Sequence, residues 1–337
     1  MLPLALTIGD PSGIGPEIAM LAFLRRQKSH VPPFLLIADP DQLKRRAQSL
    51  NMDIAMEPSS ARAALDDFAR GVLPILPLGN FQAEQPGIPT TANAAGTVEA
   101  IERAVDMVVK GELSALVTCP IAKKPLYDAG FKFPGHTEFL GELTAAAPFE
   151  GRRGPVMMLT AQDLRVTLVT VHEPLAKVSA KLTLDGIVHA GQVTAEALQR
   201  DFGVIAPRLA VAALNPHAGE SGAIGREEID IVAPAVQALR ELGVDARGPY
   251  PADTLFPAEV RQTYDAALCL YHDQALIPVK MLDFWGGVNV TLGLPIVRTS
   301  PDHGTGFDIA GQGIARPDSL IAALRLADQI ARRRETS

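Results

Sequence analysis

The chain has 337 residues, of which 47% are hydrophobic and 20% are charged, an ordinary balance for a globular protein. The formal net charge is −7 and no basic stripe is present, so nucleic acid is not expected as a partner. No apolar stretch approaches the length of a membrane span. Two cysteines, expected to be buried free thiols, and an N-terminus without a basic region favour a cytoplasmic protein.

Short apolar runs alternate with amphipathic stretches along the chain. A strand at 2–8 enters a glycine-rich turn, the proline-punctuated stretch 72–89 is predicted to be irregular, and the glycine- and proline-rich stretch 121–155 is a candidate crossover between domains. This alternation predicts an α/β fold with a largely parallel sheet covered by helices, and the length suits two modest domains or one large α/β unit. Further strands are predicted at 33–39, 114–120, 155–160, 164–171, 208–215, 265–271 and 288–292, and helices at 14–27, 58–70, 91–112, 182–201, 227–242 and 318–334.

Three histidines each stand where an apolar, strand-like run ends. They are His172 in VTLVTVHEPL, His217 in LAVAALNPHAGE and His272 in AALCLYHDQA. In open α/β sheets, ligands collect beyond the carboxyl ends of the strands. Three neutral imidazoles at one rim would bind a divalent metal and leave a coordination position open, as reactive sites do. Taken singly, each histidine is also typical of a loop or core residue, but their shared context favours a site.

Two segments are candidates for binding an anion. GDPSGIGPEI (9–18) is a glycine-rich turn between a strand and a helix, and it predicts either contact with an anion or cofactor or only a tight turn. In FPGHTEFL (133–140), His136 and Thr137 follow a Pro-Gly turn and precede a helix. An imidazole, a hydroxyl and helix N–H groups suit a phosphate or a carboxylate; an N-cap threonine without a ligand is the alternative.

The C-terminal third carries further polar residues near predicted strands. Asp253 lies in a turn, where aspartate is common without any function. Lysine and arginine near a metal would bind a phosphate or carboxylate, although taken singly such residues are surface charges. The residues expected on loops that flank strands are Asp273, Lys280, Asn289 and Arg298.

Taken together, the motifs resemble the 4-hydroxythreonine-4-phosphate dehydrogenase (PdxA) family over nearly the whole chain. HTEF, LNPHAGE, PADTLF, YHDQ, VNVTLGLP, RTS and DHGT occur in that family's order and approximate spacing. The segment HGTGFDIAGQGIARP also looks like the adenosine-side loop of isopropylmalate and isocitrate dehydrogenases, so the resemblance implies their two-domain α/β/α fold with largely parallel sheets. Residues 1–130 plus 301–337 would form a cofactor-side domain, and residues 131–300 a metal- and substrate-binding, dimer-forming domain.

The resemblance also implies ligands and residue roles. One divalent cation (Zn²⁺, Mg²⁺ or Co²⁺) would be bound by His172, His217 and His272 at the interface of a homodimer. NAD or NADP would lie near the loop that precedes the last helix, without a Rossmann fingerprint. Implied substrate contacts are His136, Thr137, Lys280, Asn289 and Arg298; implied cofactor contacts are His303, Gly304, Thr305 and Asp308; Asp253 and Asp273 are both candidates for the general base.

The implied reaction is oxidation of 4-hydroxythreonine 4-phosphate to 2-amino-3-oxo-4-phosphooxybutanoate, which decarboxylates to 3-amino-2-oxopropyl phosphate on the route to pyridoxal phosphate. Relatives that act on 4-phospho-threonate or 4-phospho-erythronate carry much the same motifs and provide the first alternative. A metal-dependent hydrolase or aldolase could use the same three histidines. A metabolite-binding protein without enzymatic activity is a further alternative.

Overall fold

The structure is a computed structural model that describes residues 2–133 and 135–336. These residues divide into two compact units. Unit 1 contains the described residues of 1–148 and 294–332, and unit 2 contains those of 149–293 and 333–337. In this described part of the chain, no helix is long and apolar enough to cross a membrane.

The described residues form twelve β-strands and twelve α-helices. The strands are β1 (Leu4–Thr7), β2 (Phe34–Ala38), β3 (Met56–Pro58), β4 (Leu73–Pro77), β5 (Leu116–Thr118), β6 (Val156–Ala161), β7 (Leu164–Leu168), β8 (Arg208–Ala212), β9 (Asp245–Tyr250), β10 (Ala266–Cys269), β11 (Val288–Leu292) and β12 (Arg298–Pro301). The helices are α1 (Gly15–Leu24), α2 (Pro40–Ser49), α3 (Ala64–Arg70), α4 (Ala94–Val109), α5 (Lys123–Asp128), α6 (His136–Leu143), α7 (Leu175–Lys181), α8 (Leu184–Arg200), α9 (Ala233–Glu241), α10 (Ala258–Arg261), α11 (His272–Leu282) and α12 (Asp318–Thr336).

Unit 1 is built on six strands in the order β3-β4-β2-β1-β5-β12, each parallel to its neighbours. Strands β1, β2 and β5 are buried along their whole length, which is typical of strands covered on both faces. Helix α4 packs on them through Ala100, Ile101, Ala104 and Val105. Since the strands are parallel, their carboxyl ends meet at one edge of the sheet.

Unit 2 contains six strands in the order β11-β6-β7-β10-β8-β9. Strands β6 and β7 form an antiparallel hairpin, and β11 pairs antiparallel with β6. The remaining strands, β7, β10, β8 and β9, are parallel. Alternate apolar residues of this sheet form a core with Ala275 and Val279 of α11. The carboxyl ends of β7, β10 and β8 are therefore neighbours in unit 2.

The predicted α/β class with largely parallel sheets is confirmed, whereas several proline-rich stretches were misassigned. Residues 73–77, predicted to be irregular, form β4 although Pro74 and Pro77 lack the N–H that signals a strand. Lys280 and Asp273, expected on loops, lie in α11 despite Pro278 inside it. The side chain of Gln274 anchors that helix by accepting from Leu270 N and donating to Ala213 O, both at 2.7 Å. The elements β3, β9, β12, α2, α5, α7 and α10 were not predicted either, whereas the helix expected after the Pro-Gly turn is α6.

The boundary between the units differs from the predicted domain boundary. Residues 131–148, assigned from sequence to the second domain, belong to unit 1. The reason is apolar packing, because Phe139 and Leu140 of α6 contribute to the same core as Ile101 and Leu116. The chain passes from unit 1 to unit 2 between residues 148 and 149, inside the glycine- and proline-rich stretch 121–155 that was the candidate crossover.

A buried arginine connects three segments of unit 1. The Arg46 guanidinium is fully buried and binds Glu17 Oε1 at 2.9 Å, Glu84, and the carbonyl oxygens of Pro11 and Gly13. Glu17 in turn accepts a hydrogen bond from the N–H of Gly311. Helix α2, the first glycine-rich turn and the loop before α12 are therefore held by one charge network.

The substitution Arg46→Met tests this network. It leaves the buried carboxylate of Glu17 without its cation, and breaking a buried pair in this way costs about 3–5 kcal/mol in the free energy of unfolding. The measurement is denaturant unfolding of both proteins. As a matched control, Lys44→Met removes an exposed pair with Asp41 on the same helix and should change stability by less than about 0.5 kcal/mol. Equal losses for the two variants would contradict the role of Arg46.

Candidate functional site

A buried arginine lies at the carboxyl end of β5 in unit 1. Arg298 is the first residue of β12, pairs with Leu116 in the sheet and is only 4% exposed. Its Nη2 donates to the hydroxyl of Thr118, the last residue of β5, at 2.7 Å. Burial lowers the pKa of Arg298 to about 10, so the guanidinium remains a cation at neutral pH. The Arg298 guanidinium is therefore a positive charge from which water is partly excluded.

His136 opens helix α6 close to that charge. Its Nε2 atom is buried and finds no hydrogen-bond partner among the residues that the structure describes. Burial, and then the charges of Arg298 and Lys123, hold the pKa of His136 well below its usual value, so the ring is neutral. Gly135 is the N-cap and supplies no side-chain cap, while Thr137 is the second helical residue and not the cap. Pro134 of the same motif lies outside the described residues.

Lys123 is a second cationic group, which the sequence analysis missed. It opens α5, just after the loop that follows β5. A Cβ atom on Gly135 would lie 3.7 Å from Lys123 Nζ, so the ammonium group lies beside the N-terminus of α6. An arginine, a lysine and free helix N–H groups together suit a phosphate or carboxylate. The lysine pair two residues after the strand-like run SALVTCP was the available signal.

The loop between β12 and α12 holds all four residues predicted to contact the cofactor: His303, Gly304, Thr305 and Asp308. Its backbone packs on the glycine-rich turn after β1, where Ile14 N donates to Thr305 O at 2.9 Å. A Cβ atom on Gly13 would lie 2.6 Å from that same oxygen. This close backbone contact accounts for the glycine at position 13, and the tight-turn interpretation of the segment is sufficient there.

Two of the three predicted metal ligands lie side by side in unit 2. His172 follows β7 and His272 follows the neighbouring parallel strand β10, and their ring centroids are 5.9 Å apart. The Nδ1 atom of His272 lies 2.7 Å from Asp273 Oδ1. A carboxylate on one ring nitrogen fixes the ring and leaves the other nitrogen for a metal, as is common among metal-binding histidines.

His217 occupies an unusual turn after β8. Residues 217–221 have φ between 45° and 77°, so five consecutive residues are left-handed and only Gly219 is a glycine. Each non-glycine residue in this region costs roughly 1–2 kcal/mol. Within residues 2–133 and 135–336 of one chain, no group of three or more His, Cys, Asp or Glu side chains is arranged to hold a metal. A single chain therefore brings together His172 and His272 but does not complete the set of three.

The other predicted site residues of unit 2 are spread over separate elements. Asp253 is exposed on the short 3₁₀ turn Ala252–Thr254. Lys280 Nζ lies 5.4 Å from the ring centroid of Phe284. Asn289, on β11, has a buried Oδ1 atom without a hydrogen-bond partner in the described part of the chain. A buried amide oxygen of this kind is suited to accept a hydrogen bond from a ligand.

The donor set in unit 2 fits a borderline divalent cation. Imidazole nitrogens suit Zn²⁺ and Co²⁺, whereas Mg²⁺ prefers carboxylate, carbonyl and water oxygens. The pairing of His272 with Asp273 supplies the orienting carboxylate that such ligands commonly have. Of the ions predicted from sequence, the residues present therefore fit Zn²⁺ or Co²⁺ better than Mg²⁺.

Comparison with known proteins gives concordant results. Residues 30–327 match the family model described as pyridoxal phosphate biosynthetic protein PdxA. A Caulobacter vibrioides protein named 4-hydroxythreonine-4-phosphate dehydrogenase is 59% identical, with 98% of each chain covered. A Maricaulis maris protein of the same name is 54% identical over 98% of this chain and 97% of its own.

A solved structure supports the same assignment. The crystal structure of 4-hydroxythreonine-4-phosphate dehydrogenase from Klebsiella pneumoniae superposes with a TM-score of 0.85 at 36% identity, covering 98% of this chain and 100% of that one. The family resemblance predicted from the motifs is thus confirmed. The chain belongs to the PdxA family of pyridoxal phosphate biosynthetic proteins.

Proposed function

We propose that this protein is an NAD(P)- and divalent-metal-dependent dehydrogenase. It oxidises 4-hydroxythreonine 4-phosphate to 2-amino-3-oxo-4-phosphooxybutanoate, which loses CO₂ to give 3-amino-2-oxopropyl phosphate. The observation that carries the proposal is the cationic cluster around Arg298 in a chain 59% identical to a protein named for this substrate. A phosphorylated acid is the ligand that such a cluster binds best.

The cationic cluster around Arg298 in unit 1 would hold the anionic groups of the substrate. Arg298 offers a planar fork of donors and Lys123 a point charge, and the N–H groups at the start of α6 add the positive end of a helix dipole. His136 is neutral, so its ring can donate or accept a hydrogen bond with the substrate without adding charge. Thr137, Lys280 and Asn289 are proposed as further substrate contacts.

His172, His217 and His272 would hold the cation, and His303, Gly304, Thr305 and Asp308 would contact the dinucleotide. When bound, the cation supplies Lewis-acid polarisation of the substrate oxygens and the nicotinamide supplies a hydride acceptor. The bond of 2.7 Å to His272 gives Asp273 an orienting role. We propose Asp253 or Asp273 as the base that takes the proton of the substrate hydroxyl.

A homodimer would complete the metal site. Ile277 and Met281 of α11 are 62% and 81% exposed, and Phe284 and Trp285 just beyond the helix are also exposed. These residues form an apolar surface on the helix that carries His272. Apolar surface of this kind marks a protein interface. Because one chain does not assemble three ligands, we propose that a second copy supplies at least one of them.

The direct test is a dehydrogenase assay that follows NADH or NADPH at 340 nm. Purified protein with Zn²⁺ or Co²⁺ should turn over 4-hydroxythreonine 4-phosphate, with kcat/KM at least about tenfold above that for 4-phospho-threonate or 4-phospho-erythronate. Chelator should abolish the activity and added metal should restore it. A preference for 4-phospho-threonate or 4-phospho-erythronate would identify that compound as the substrate. Turnover of any of these compounds that forms no NADH or NADPH would contradict the dehydrogenase proposal.

The anion-binding role of Arg298 is tested by Arg298→Leu. Hydrogen bonds to a charged group contribute about 1.5–3 kcal/mol, so KM for the phosphorylated substrate should rise roughly 10- to 100-fold. The matched control is Arg247→Leu, which removes an exposed pair with Asp245 on β9 and should leave KM unchanged. Steady-state kinetics measure KM for each variant, and circular dichroism checks that each variant is folded. An unchanged KM in a folded Arg298→Leu protein would exclude this residue from the substrate site.

The dimer is tested by Met281→Glu, which places a charge in the apolar surface of α11. Analytical ultracentrifugation should show the mass falling from two chains to one, and Zn²⁺ affinity should fall by at least about tenfold because a ligand is lost. Ile205→Glu is the control, since Ile205 is 94% exposed and lies outside this surface. A Met281→Glu protein that remains dimeric would rule out α11 as the interface.

A further inference from the structure

The left-handed turn that carries His217 needs an external support. His217, Ala218, Glu220 and Ser221 all adopt positive φ, a conformation that residues with a Cβ leave when nothing holds them. His217 and Glu220 are exposed, so the apolar core does not pack around their side chains. The restraint must come from the residues that flank the turn.

A buried carboxylate supplies that restraint. Glu228 is 3% exposed, and its Oε1 accepts from the backbone N–H groups of Leu214 and Asn215 at 2.8 and 2.7 Å. Its Oε2 accepts from Asn215 Nδ2 at 2.9 Å. A Cβ atom on Gly219 would lie 2.7 Å from the same Oε2, so the middle of the turn packs directly on the carboxylate. Glu228 therefore contacts the turn on both sides of His217.

The local fold around Glu228 is itself irregular. Residues Glu228–Val232 form a π-helical turn that continues into α9. Such turns are rare in proteins. Those that do occur often lie at functional sites, where they redirect side chains. Glu227, the preceding residue, accepts from Asn215 Nδ2 at 2.7 Å and from the hydroxyl of Ser179 at 2.6 Å, which adds a second anchor for Asn215.

We propose that Glu228 is a positioning residue that holds the left-handed turn and thereby aims His217 at the cation. This inference rests on the proposed metal role of His217. It assigns Glu228 no contact with substrate or metal, because its carboxylate is occupied by three hydrogen bonds within the chain. The effect on metal binding would be indirect, as for residues that orient a ligand.

The test is the substitution Glu228→Gln. It replaces one carboxylate oxygen with an NH₂ group, so a hydrogen-bond donor faces the donors that the carboxylate now accepts from. Calorimetric titration of the metal-free protein with Co²⁺ alone should show affinity reduced roughly 10- to 100-fold. Hydrogen exchange of residues 213–222, measured without metal, should be faster by at least about tenfold. Asp230→Asn is the control on the same π-helical turn, where the aspartate makes only a surface pair with Arg226, and should change neither quantity.

The outcomes separate this inference from the proposed function. If the wild type binds Co²⁺ tightly and the Glu228→Gln variant binds it equally tightly, the inference is overturned while the proposed function stands. Hydrogen exchange that is the same in both proteins would also overturn the inference alone. Absence of Co²⁺ binding by the wild type would contradict the metal proposal and the inference with it. If Glu228→Gln does not fold, Glu228→Asp replaces it, because the shorter side chain keeps the charge but withdraws the carboxylate from Leu214 N and Asn215 N. It should weaken Co²⁺ binding and speed hydrogen exchange of residues 213–222, and unchanged values of both would overturn the inference.

Discussion

Parallel strand pairing is the constraint on which the candidate sites depend. In unit 1 it places Thr118 at the edge that Arg298 reaches, and in unit 2 it places His172 and His272 after adjacent strands. Strands buried on both faces are mostly apolar along their length. Most candidate ligand groups therefore lie on the loops and helix starts that follow the strands, and the exceptions are Arg298 on β12 and Asn289 on β11.

Stability and function share residues in unit 1. The Arg46 network reaches the first glycine-rich turn and, through Glu17, the backbone of Gly311 in the loop proposed to contact the dinucleotide. The same loop is fixed by the bond from Ile14 to Thr305. A loop held at several points by buried charge and close backbone contact keeps one conformation, which is what ordered recognition of a cofactor requires. The network thus supports the proposed cofactor contacts without touching the cofactor.

Sequence reasoning succeeded where the signal was local and failed where it was long-range. Apolar runs that end in histidine predicted the strands and their ends, and HTEF predicted a helix start that lies near Arg298. The turn at His217 could not be predicted, because Glu228, eleven residues further on, holds it in an unfavourable conformation. Helix α11 was hidden by Pro278, and the assignment of α6 to unit 1 depends on its place in the core that contains Ile101 and Leu116, which composition does not reveal.

We propose that the three histidines at strand ends converge on one cation when two copies of the chain associate. Diffraction at the cobalt edge from crystals grown with Co²⁺ shows directly where the cation binds. We expect one anomalous peak per site, within about 2.0–2.2 Å of imidazole nitrogens of His172, His217 and His272, with at least one supplied by the partner copy. A peak bound elsewhere, or three histidines that remain apart in the assembled protein, would contradict it.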